Sequence, residues 1–453
     1  MKGNKDKKDE KTQQADNKKD EKSQSEDGTV DEKPETEGGK KEGKPKKEDG
    51  KNTRGGQFGH KKQERKLFPP EQVDIVIEAK LTNCPNCGEA LNAADDEIKV
   101  TQQIGVVEKP FTVTEYHQQT GYCPHCNTYH AAPLLQEAAS GLFTITLIAF
   151  LAYLKGRCHT SYSALQDFFR DVLQITVSKG FLVKQIKKAS AAMAKPHSIL
   201  LNLLALEKHL HIDESGWKKN DARRWIWAFR AMKFAVFVIR NSRAEIVLEE
   251  VLGLAFKGII SCDFYGAYRK FKRLTGALLQ FCWAHLIRQI LFLKGLKDPD
   301  VVCYASNIIE QVAAMFVTIH KQDTMGQAQW QQAMHEHQKR IMQSVNDAVP
   351  DQHDAQLIAQ RLITREADYF RFIDACIVPT NNPAELTVRQ CVLDRVVTQG
   401  SRGEDGNNWH ERFWTIFTTC GMQNISVMQY LKDCLKHHYG LTDSLPPLVE
   451  EKH

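Results

Sequence analysis

The stretch 209–268 constrains the fold more than any other part of this chain. It begins with a short strand, His209–Ser215, that ends in two acidic residues. Two runs rich in apolar and aromatic residues follow, Trp225–Arg230 and Phe234–Arg240, and polar residues between them supply turns. The pattern predicts three consecutive strands joined by short connections.

The hydrophobic period then changes from that of a strand to that of a helix. From Arg243 to Leu254 the apolar residues recur at helical spacing, and residues 258–262 predict a buried strand that ends at Asp263. The order is therefore three strands, one helix and a fourth strand. Asp213 lies on the first strand, and Asp263 follows the fourth.

This order is how a ribonuclease-H-like fold brings two carboxylates together, because the first and fourth strands of such a sheet are neighbours. Two carboxylates at close range repel, and both stay ionised only when a cation lies between them. Hard oxygen ligands suit Mg²⁺ or Mn²⁺. We therefore expect metal-assisted phosphodiester chemistry at Asp213 and Asp263.

The first strand also allows a different interpretation. His209, His211 and Asp213 form an HxHxD pattern, which is familiar in metallohydrolases, and alternation places all three on one strand face. No Asp-His pair follows directly, whereas three strands and Asp263 do. This pattern remains a minor alternative.

Four motifs resemble the transposases of the IS66 insertion-sequence family. They are HIDESGW (211–217), CDFYGAY (262–268), CWAHLIRQ (282–289) and AsnAsnProAlaGlu (381–385). The resemblance covers roughly residues 52–435. It implies an Asp-Asp-Glu transposase in which Asp213, Asp263 and Glu385 are the catalytic residues and the magnesium ligands.

The role of Glu385 is open from the residues alone. Asn382 suits a helix N-cap, Pro383 the first position and Glu385 the third, so Glu385 could close a capping box. The resemblance favours a metal ligand instead. Glu411 is a lower-ranked alternative for the third carboxylate. Where the family usually has Glu-Arg this chain has Glu385-Leu386, which puts one phosphate contact in doubt, although Arg389 retains the later arginine.

The resemblance also implies a reaction and partners. Two metal ions would activate water to nick DNA at the element's ends, and the freed 3′-hydroxyl would attack target DNA. Cys282 and His285 have CxxH spacing, so half of a zinc site is conceivable, but no second half is evident. The preferred interpretation packs Cys282 in a strand and places His285 and Arg288 at the rim of the site near phosphate. We expect homo-oligomers on DNA and small accessory proteins of the same element. An inactive or domesticated DNA-binding descendant is the alternative, although the three retained acids argue against it.

A metal site of a different kind is predicted near the N-terminus. Two CxxC turns, Cys84–Cys87 and Cys123–Cys126, can each present two thiolates to one metal, and together they form a tetrahedral Zn²⁺ site. Strand-like residues lie between them. The resemblance implies a zinc-binding domain here, and the alternatives are a redox pair or free thiols.

The region 140–205 predicts helices with a basic member. Ser161–Val172 and Ser178–Met193 are separated by a short connector, which suggests a helix-turn-helix. Charge on a helix is usually its solvated face, but the resemblance favours DNA binding here. The candidate DNA contacts are Lys179, Lys184, Lys187 and Lys188 on the second helix, with His285, Arg288 and Arg389 farther along.

The whole chain is expected to be multidomain α+β. A ribonuclease-H-like α/β catalytic domain with an all-α insertion follows a small zinc-binding domain and a helical DNA-binding region. We predict a disordered charged tail at 1–66, the zinc-binding domain at 67–135 and the helical DNA-binding region at 140–205. The catalytic domain is predicted at 207–400, with its helical insertion at about 275–375, and a C-terminal helical tail at 401–453.

Charge and hydropathy complete the expectations. The net charge is only +5, and the acids of residues 1–50 nearly balance their lysines, so the tail is a poor clamp for DNA. The longest apolar run, Leu142–Leu154, is too short to span a bilayer. We expect a cytoplasmic, nucleoid-associated bacterial protein with no membrane partner.

Overall fold

The structure is a computed structural model that describes residues 67–78, 86–89, 100–107 and 109–449. The predicted tail (1–66) and Cys84 lie outside the described residues. Contacts divide the chain into two compact units, 1–104 and 105–453. In the first unit a 3₁₀ turn spans Pro70–Gln72.

The second unit begins with a hairpin and a group of helices. The hairpin pairs strands β1 (Thr120–Cys123) and β2 (Thr128–Ala131) antiparallel. The helices are α1 (Ile145–Arg157), α2 (Tyr162–Asp171), α3 (Lys179–Ala192) and α4 (Ala194–Leu203). Hydroxyl N-caps fix the starts of the first three helices: Thr144, Ser161 and Ser178 each accept a backbone N–H three residues on. The two helices predicted at 161–172 and 178–193 are confirmed as α2 and α3, whereas their binding to DNA stays a prediction.

A mixed sheet lies at the centre of this unit. Its strands are β3 (His209–Lys219), β4 (Ala222–Arg230), β5 (Ala235–Arg240), β6 (Ile259–Cys262) and β7 (Leu278–Phe281), and helix α5 (Ile246–Leu252) precedes β6. Their order across the sheet is β5-β4-β3-β6-β7. The strands β3, β4 and β5 pair antiparallel, whereas β3, β6 and β7 run parallel.

The predicted order of three strands, a helix and a fourth strand is confirmed, with one change of length. Strand β3 continues to Lys219, and the turn into β4 is at Asn220, which has a positive φ of 52°. Asn is among the few residues that adopt this left-handed conformation readily. The first strand therefore extends well beyond its two acids.

The expected all-α insertion begins later than predicted, because residues 278–281 form β7. This strand follows α6 (Gly266–Thr275) and pairs with β6 through Ile260 and Leu279. The helices after it are α7 (Trp283–Lys294), α8 (Pro299–Ile319), α9 (Gln327–Asn346), α10 (His353–Tyr369) and α11 (Arg371–Ala375). The result is a mixed α/β architecture compatible with a multidomain α+β chain.

Three last helices close the structure around the sheet. They are α12 (Asn382–Thr398), α13 (Glu404–Met422) and α14 (Val427–His438). Helix α12 packs on β3 and β4, α13 packs along β5, and α14 returns to α1 and α3. Fully buried tryptophans anchor this packing, including Trp217 on β3 and Trp414 on α13.

Helix α13 also covers the open edge of the sheet. The backbone N–H groups of Ala235, Phe237 and Ile239 on β5 donate to Thr419, Thr415 and Glu411, respectively. Alternate strand residues are about 6.7 Å apart and helical residues four apart are about 6 Å apart, so the two rows match. The edge is thus closed to pairing with another strand.

Among the described residues, one helix, α8, is long and apolar enough to cross a bilayer by length and composition. Its buried face, which includes Val301, Ala305 and Ile308, packs against α7 and α9. Core helices of soluble proteins meet the same test. The absence of a membrane partner therefore stays a prediction.

Candidate active site

Asp213 and Asp263 are brought together by the pairing of their strands. Asp213 lies within β3, Asp263 follows the last residue of β6, and the strands run parallel with His211 opposite Ser261. Burial raises the pKa of Asp213 to about 7, and the negative charges of Glu214, Asp263 and Glu385 contribute in the same direction. The expected meeting of the first and fourth strands is confirmed.

Asp263 opens onto a cleft of about 270 Å³. One oxygen of its carboxylate, Oδ1, accepts a hydrogen bond from the backbone N–H of Tyr265 at 2.9 Å, which orients the side chain at the turn into α6. The cleft is lined by residues after β6, on α7 and on α10, including Phe264, Cys282, His285, Gln289 and Arg361.

Glu385 lies on the first turn of α12, but the predicted cap is shifted by one residue. The N-cap is Asn381, so Pro383 takes the second position and Glu385 the fourth. A capping box is therefore wrong, since the Asn381 N–H donates to Cys282 Sγ at 3.1 Å instead. Glu385 Oε1 is buried and has no hydrogen-bond partner among the described residues. Proline tolerates either of the first positions, which is why the sequence left this register ambiguous.

Asn381 fixes the start of α12 against β3. Its side-chain Nδ2 donates to the carbonyl of Ile212 at 2.8 Å, and its Oδ1 lies 3.2 Å from His211 Nδ1. Ile212 directly precedes Asp213 in the chain, and His211 lies on the same face of β3 as Asp213. Asn381 thus holds the Glu385 turn beside Asp213, a role that sequence reasoning missed because only the Asn-Asn-Pro motif hinted at it.

The HxHxD histidines are engaged in hydrogen bonds within the fold. His209 Nε2 lies 2.9 Å from the Ser261 hydroxyl, and His211 contacts Asn381. Burial lowers the pKa of His209 to about 4 and of His211 to about 3, so both rings are neutral at physiological pH. In the described part of the chain, the group of possible metal ligands whose ligand atoms lie within 4.8 Å of one another includes neither histidine, and it does not include Asp213 or Asp263 either. The geometry does not favour the metallohydrolase alternative.

Two other acids near the site have partners of their own. Glu411 Oε1 accepts from the Ile239 N–H at 2.6 Å and from Arg240 Nη1 at 3.0 Å, behind the edge strand. Glu214 accepts from the Tyr268 hydroxyl at 2.5 Å and from Arg243 Nε at 2.8 Å. Glu411 therefore belongs to the sheet edge, and it is a poor candidate for a third metal ligand.

Cys282 and His285 lie closer to Glu385 than the sequence suggested. Cys282 is one residue beyond β7, at the N-cap of α7, so its predicted place in a strand is wrong. The ligand atoms of Cys282, His285 and Glu385 all lie within 4.8 Å of one another. His285 Nδ1 is 3.4 Å from Glu385 Oε1, yet neither atom makes a hydrogen bond in the described structure.

His285 and Arg288, predicted at the rim, and Arg389, predicted as a DNA contact, separate into two groups. His285 lines the cleft, whereas Arg288 is exposed on α7 and Arg389 is exposed beside Glu385 on α12. Sequence reasoning missed Arg361 and Arg269. Their guanidinium groups both lie 4.4 Å from the ring centroid of Phe264, the residue after Asp263.

Comparison with known families identifies what these elements belong to. The family model of the IS66 transposases matches residues 140–408. The chain belongs to the IS66 transposase family. The match spans α1 to the first turns of α13 and includes all three predicted carboxylates. A search of curated proteins gives no match.

Membership of a transposase family carries general consequences for this IS66 transposase. It implies DNA as the substrate, DNA cleavage as the general activity and the use of a divalent metal. Members of such families are typically soluble and cytoplasmic.

The basic helix α3 of the IS66 transposase packs against several other helices, and two of its four candidate lysines have intramolecular partners. Helix α3 packs against α1, α2, α13 and α14. Lys187 pairs with Asp405 at 2.6 Å, and Lys188 donates to the Ser140 carbonyl at 2.8 Å. Lys179 and Lys184 are exposed. The sequence could not distinguish Lys187 and Lys188 from Lys179 and Lys184, because Asp405 and Ser140, the partners of the first two lysines, lie far from them along the chain.

The predicted zinc ligands fall in different parts of the chain. Cys84 lies outside the described residues, Cys87 belongs to the first unit, and Cys123 and Cys126 flank the β1–β2 turn in the second. Hydrogen bonds from Cys126 lower the pKa of Cys123, and Cys126 Sγ lies 3.2 Å from His130 Nε2. The described cysteines are free thiols. The zinc site stays a prediction.

Proposed function

We propose that this chain is an Asp-Asp-Glu DNA transposase with a ribonuclease-H-like catalytic domain. It would bind the ends of its insertion sequence, cleave DNA strands and transfer them to target DNA. The strand order supports the fold, because the first strand, β3, lies between the second and the fourth. The directions also support it, since β6 and β7 run parallel to β3.

The observation that carries the proposal is the crowding of Asp213, Asp263 and Glu385. Burial raises the pKa of Asp213 to about 7, and the negative charges of Glu214, Asp263 and Glu385 add to this shift, although hydrolysis of DNA at neutral pH would need ionised carboxylates. A bound cation removes that conflict. The buried Oε1 of Glu385 supports the same conclusion, because no hydrogen bond within the described part of the chain occupies this ligand atom.

The donor set fits Mg²⁺ or Mn²⁺, since carboxylate oxygens are hard ligands. When bound, such cations stabilise the charge that develops on the attacking and leaving oxygens of phosphoryl transfer. The protein's own contribution is placement. Asn381 holds the Glu385 turn, the parallel pairing of β3 and β6 aligns the aspartates, and Arg361 supplies positive charge in the cleft where a phosphate would lie.

Binding of the transposon ends would involve Lys179 and Lys184, which are exposed on α3 and have no ion pair among the described residues, together with Arg288 and Arg389. Lys187 and Lys188 already have intramolecular partners, so they would contribute less. Synapsis of two ends requires more than one copy on DNA, and accessory proteins of the same element would assist.

The test is cleavage of a labelled duplex that carries the element's own end. Asp213→Asn, Asp263→Asn and Glu385→Gln each remove one ligand charge at nearly constant volume. Removing a residue that hydrogen-bonds to a metal ligand typically lowers metal affinity or activity about 10–100-fold. Removing a ligand itself should therefore lower cleavage activity at least that much. End binding and the circular dichroism spectrum should persist.

Glu411→Gln is the matched control, because it changes a buried glutamate on α13 in the same way. It should keep cleavage activity while lowering stability. Full activity of Asp263→Asn would overturn the proposal. A wild-type protein that binds ends but cleaves nothing with Mg²⁺ or Mn²⁺ would instead support an inactive descendant.

A further inference from the structure

We propose that Cys282, His285 and Glu385 form a binding site for Zn²⁺, distinct in chemistry from the carboxylate site. The three ligand atoms lie within 4.8 Å of one another, and His285 Nδ1 is 3.4 Å from Glu385 Oε1. The sequence shows only a CxxH half-site, and the fold supplies Glu385 from a helix about a hundred residues later in the chain.

Cys282, His285 and Glu385 lie close together because the N-termini of α7 and α12 are adjacent. Cys282 is the N-cap of α7 and His285 lies on its first turn, while Glu385 lies on the first turn of α12. The Asn381 N–H bond to Cys282 Sγ joins the two helix starts. The arrangement is thus fixed by the backbone rather than by a flexible loop.

The separations suit a tetrahedral cation. Bonds of 2.0–2.3 Å to zinc imply ligand atoms about 3.2–3.8 Å apart. The closest pair, His285 and Glu385, already has this spacing at 3.4 Å. The remaining adjustment is about 1 Å, and the side chains of His285 and Glu385 are 38% and 32% exposed, which leaves them room to move.

Burial raises the pKa of the Cys282 thiol, and the backbone N–H groups of Asn381, His285 and Ala284 that bond to its sulfur oppose this shift. A bound Zn²⁺ would itself favour the thiolate. The buried Nδ1 of His285 and Oε1 of Glu385 have no hydrogen-bond partners in the described structure, so both are free to bind a cation.

The mixed donor set selects the metal. A thiolate and an imidazole are poor ligands for Mg²⁺ but good ones for Zn²⁺. Three protein ligands leave one coordination position open, and Cys282 and His285 line the same cleft as Asp263. The open position would therefore face the cleft.

One consequence rests on the proposed function. Glu385 would be shared between the two kinds of metal, so Zn²⁺ at Cys282 and His285 would withdraw it from Asp213 and Asp263. Excess Zn²⁺ should then inhibit Mg²⁺-dependent cleavage. The binding of zinc itself does not depend on that function.

The test measures zinc content of the full-length protein by emission spectroscopy after loading with Zn²⁺ and removal of loosely bound metal. Cys282→Ser and His285→Ala should each lose about one equivalent relative to the wild type. Serine is a good N-cap, so Cys282→Ser should still fold. Cys391→Ser, a change at another buried cysteine on α12, is the matched control and should keep the wild-type content.

Cobalt distinguishes this site from the predicted cysteine site. Cys282→Ser should alter the thiolate-to-Co²⁺ absorption of the loaded protein, and the Cys123→Ser variant should retain the component that Cys282→Ser removes. Wild-type zinc content in both Cys282→Ser and His285→Ala would overturn the zinc site. Failure of wild-type protein, purified without added zinc and still able to bind the element's ends, to cleave DNA with Mg²⁺ or Mn²⁺ would instead overturn the proposed function.

Discussion

Replacing Thr415 with valine tests how α13 protects the edge of the sheet. Thr415 is fully buried, and its Oγ1 accepts the backbone N–H of Phe237 on β5 at 3.0 Å. Valine has nearly the same shape and a similar helix propensity. The substitution therefore leaves packing in place and removes the acceptor alone.

The expected loss of stability arises because the backbone N–H of Phe237 would no longer have a hydrogen-bond acceptor. A buried backbone N–H without a partner costs about 1–3 kcal/mol, and no water can replace the hydroxyl at a site with 0% exposure. Thr415→Ser is the control, since it keeps the acceptor and loses one methyl group, worth about 0.8 kcal/mol. Thr419→Val should cost more than Thr415→Val, because Thr419 both accepts from and donates to Ala235.

Two measurements check this prediction. Urea unfolding should place Thr415→Val about 1–3 kcal/mol below the wild type. Hydrogen exchange of a peptide containing Phe237 should accelerate in Thr415→Val but not in Thr415→Ser. Unchanged exchange, with stability within about 0.5 kcal/mol of the wild type, would show that the edge bond contributes nothing.

Three further predictions concern other regions. Burial lowers the pKa of His197 from 6.5 to about 4, so the unfolded chain binds a proton first and stability is lost as pH falls through this window. His197→Gln should therefore reduce the loss in urea stability between pH 7 and pH 5 by roughly 2 kcal/mol. Cys87→Ser should release one zinc, and unchanged content in an emission measurement would refute the paired CxxC site. Deletion of residues 1–50 should barely alter DNA affinity in a salt titration, whereas a large loss would mean that the tail binds DNA.

The central strands and the positions of both aspartates were predictable because their signals are local. Alternation and apolar runs define β3, β4, β5 and β6 within the stretch 209–268, and the parallel return follows from a single helical segment. Strand β7 was harder, since its residues, Leu278–Phe281, continue directly into the apolar start of α7. Periodicity cannot divide a short apolar run between two elements.

Contacts between distant parts of the chain could not be predicted in this way. Arg361 reaches Phe264 from α10, and Thr415 reaches Phe237 from α13. Each lies on a helix whose sequence shows only that one face is buried. Which side chain of that face meets which strand residue depends on the rotation and height of the helix, which no local pattern encodes.

Glu385 shows how much depends on that rotation. From its sequence the same carboxylate could close a capping box, bind Mg²⁺ or, with a CxxH motif elsewhere, bind zinc. A shift of the N-cap from Asn382 to Asn381 turns Glu385 by about 100° around the helix axis. That turn places Oε1 beside His285, where it makes no hydrogen bond with any residue that the structure describes. Whether Pro383 takes the first or the second position of α12 therefore decides whether Glu385 has a structural or a chemical role. Asn381, which hydrogen-bonds to Ile212 and Cys282, fixes this position.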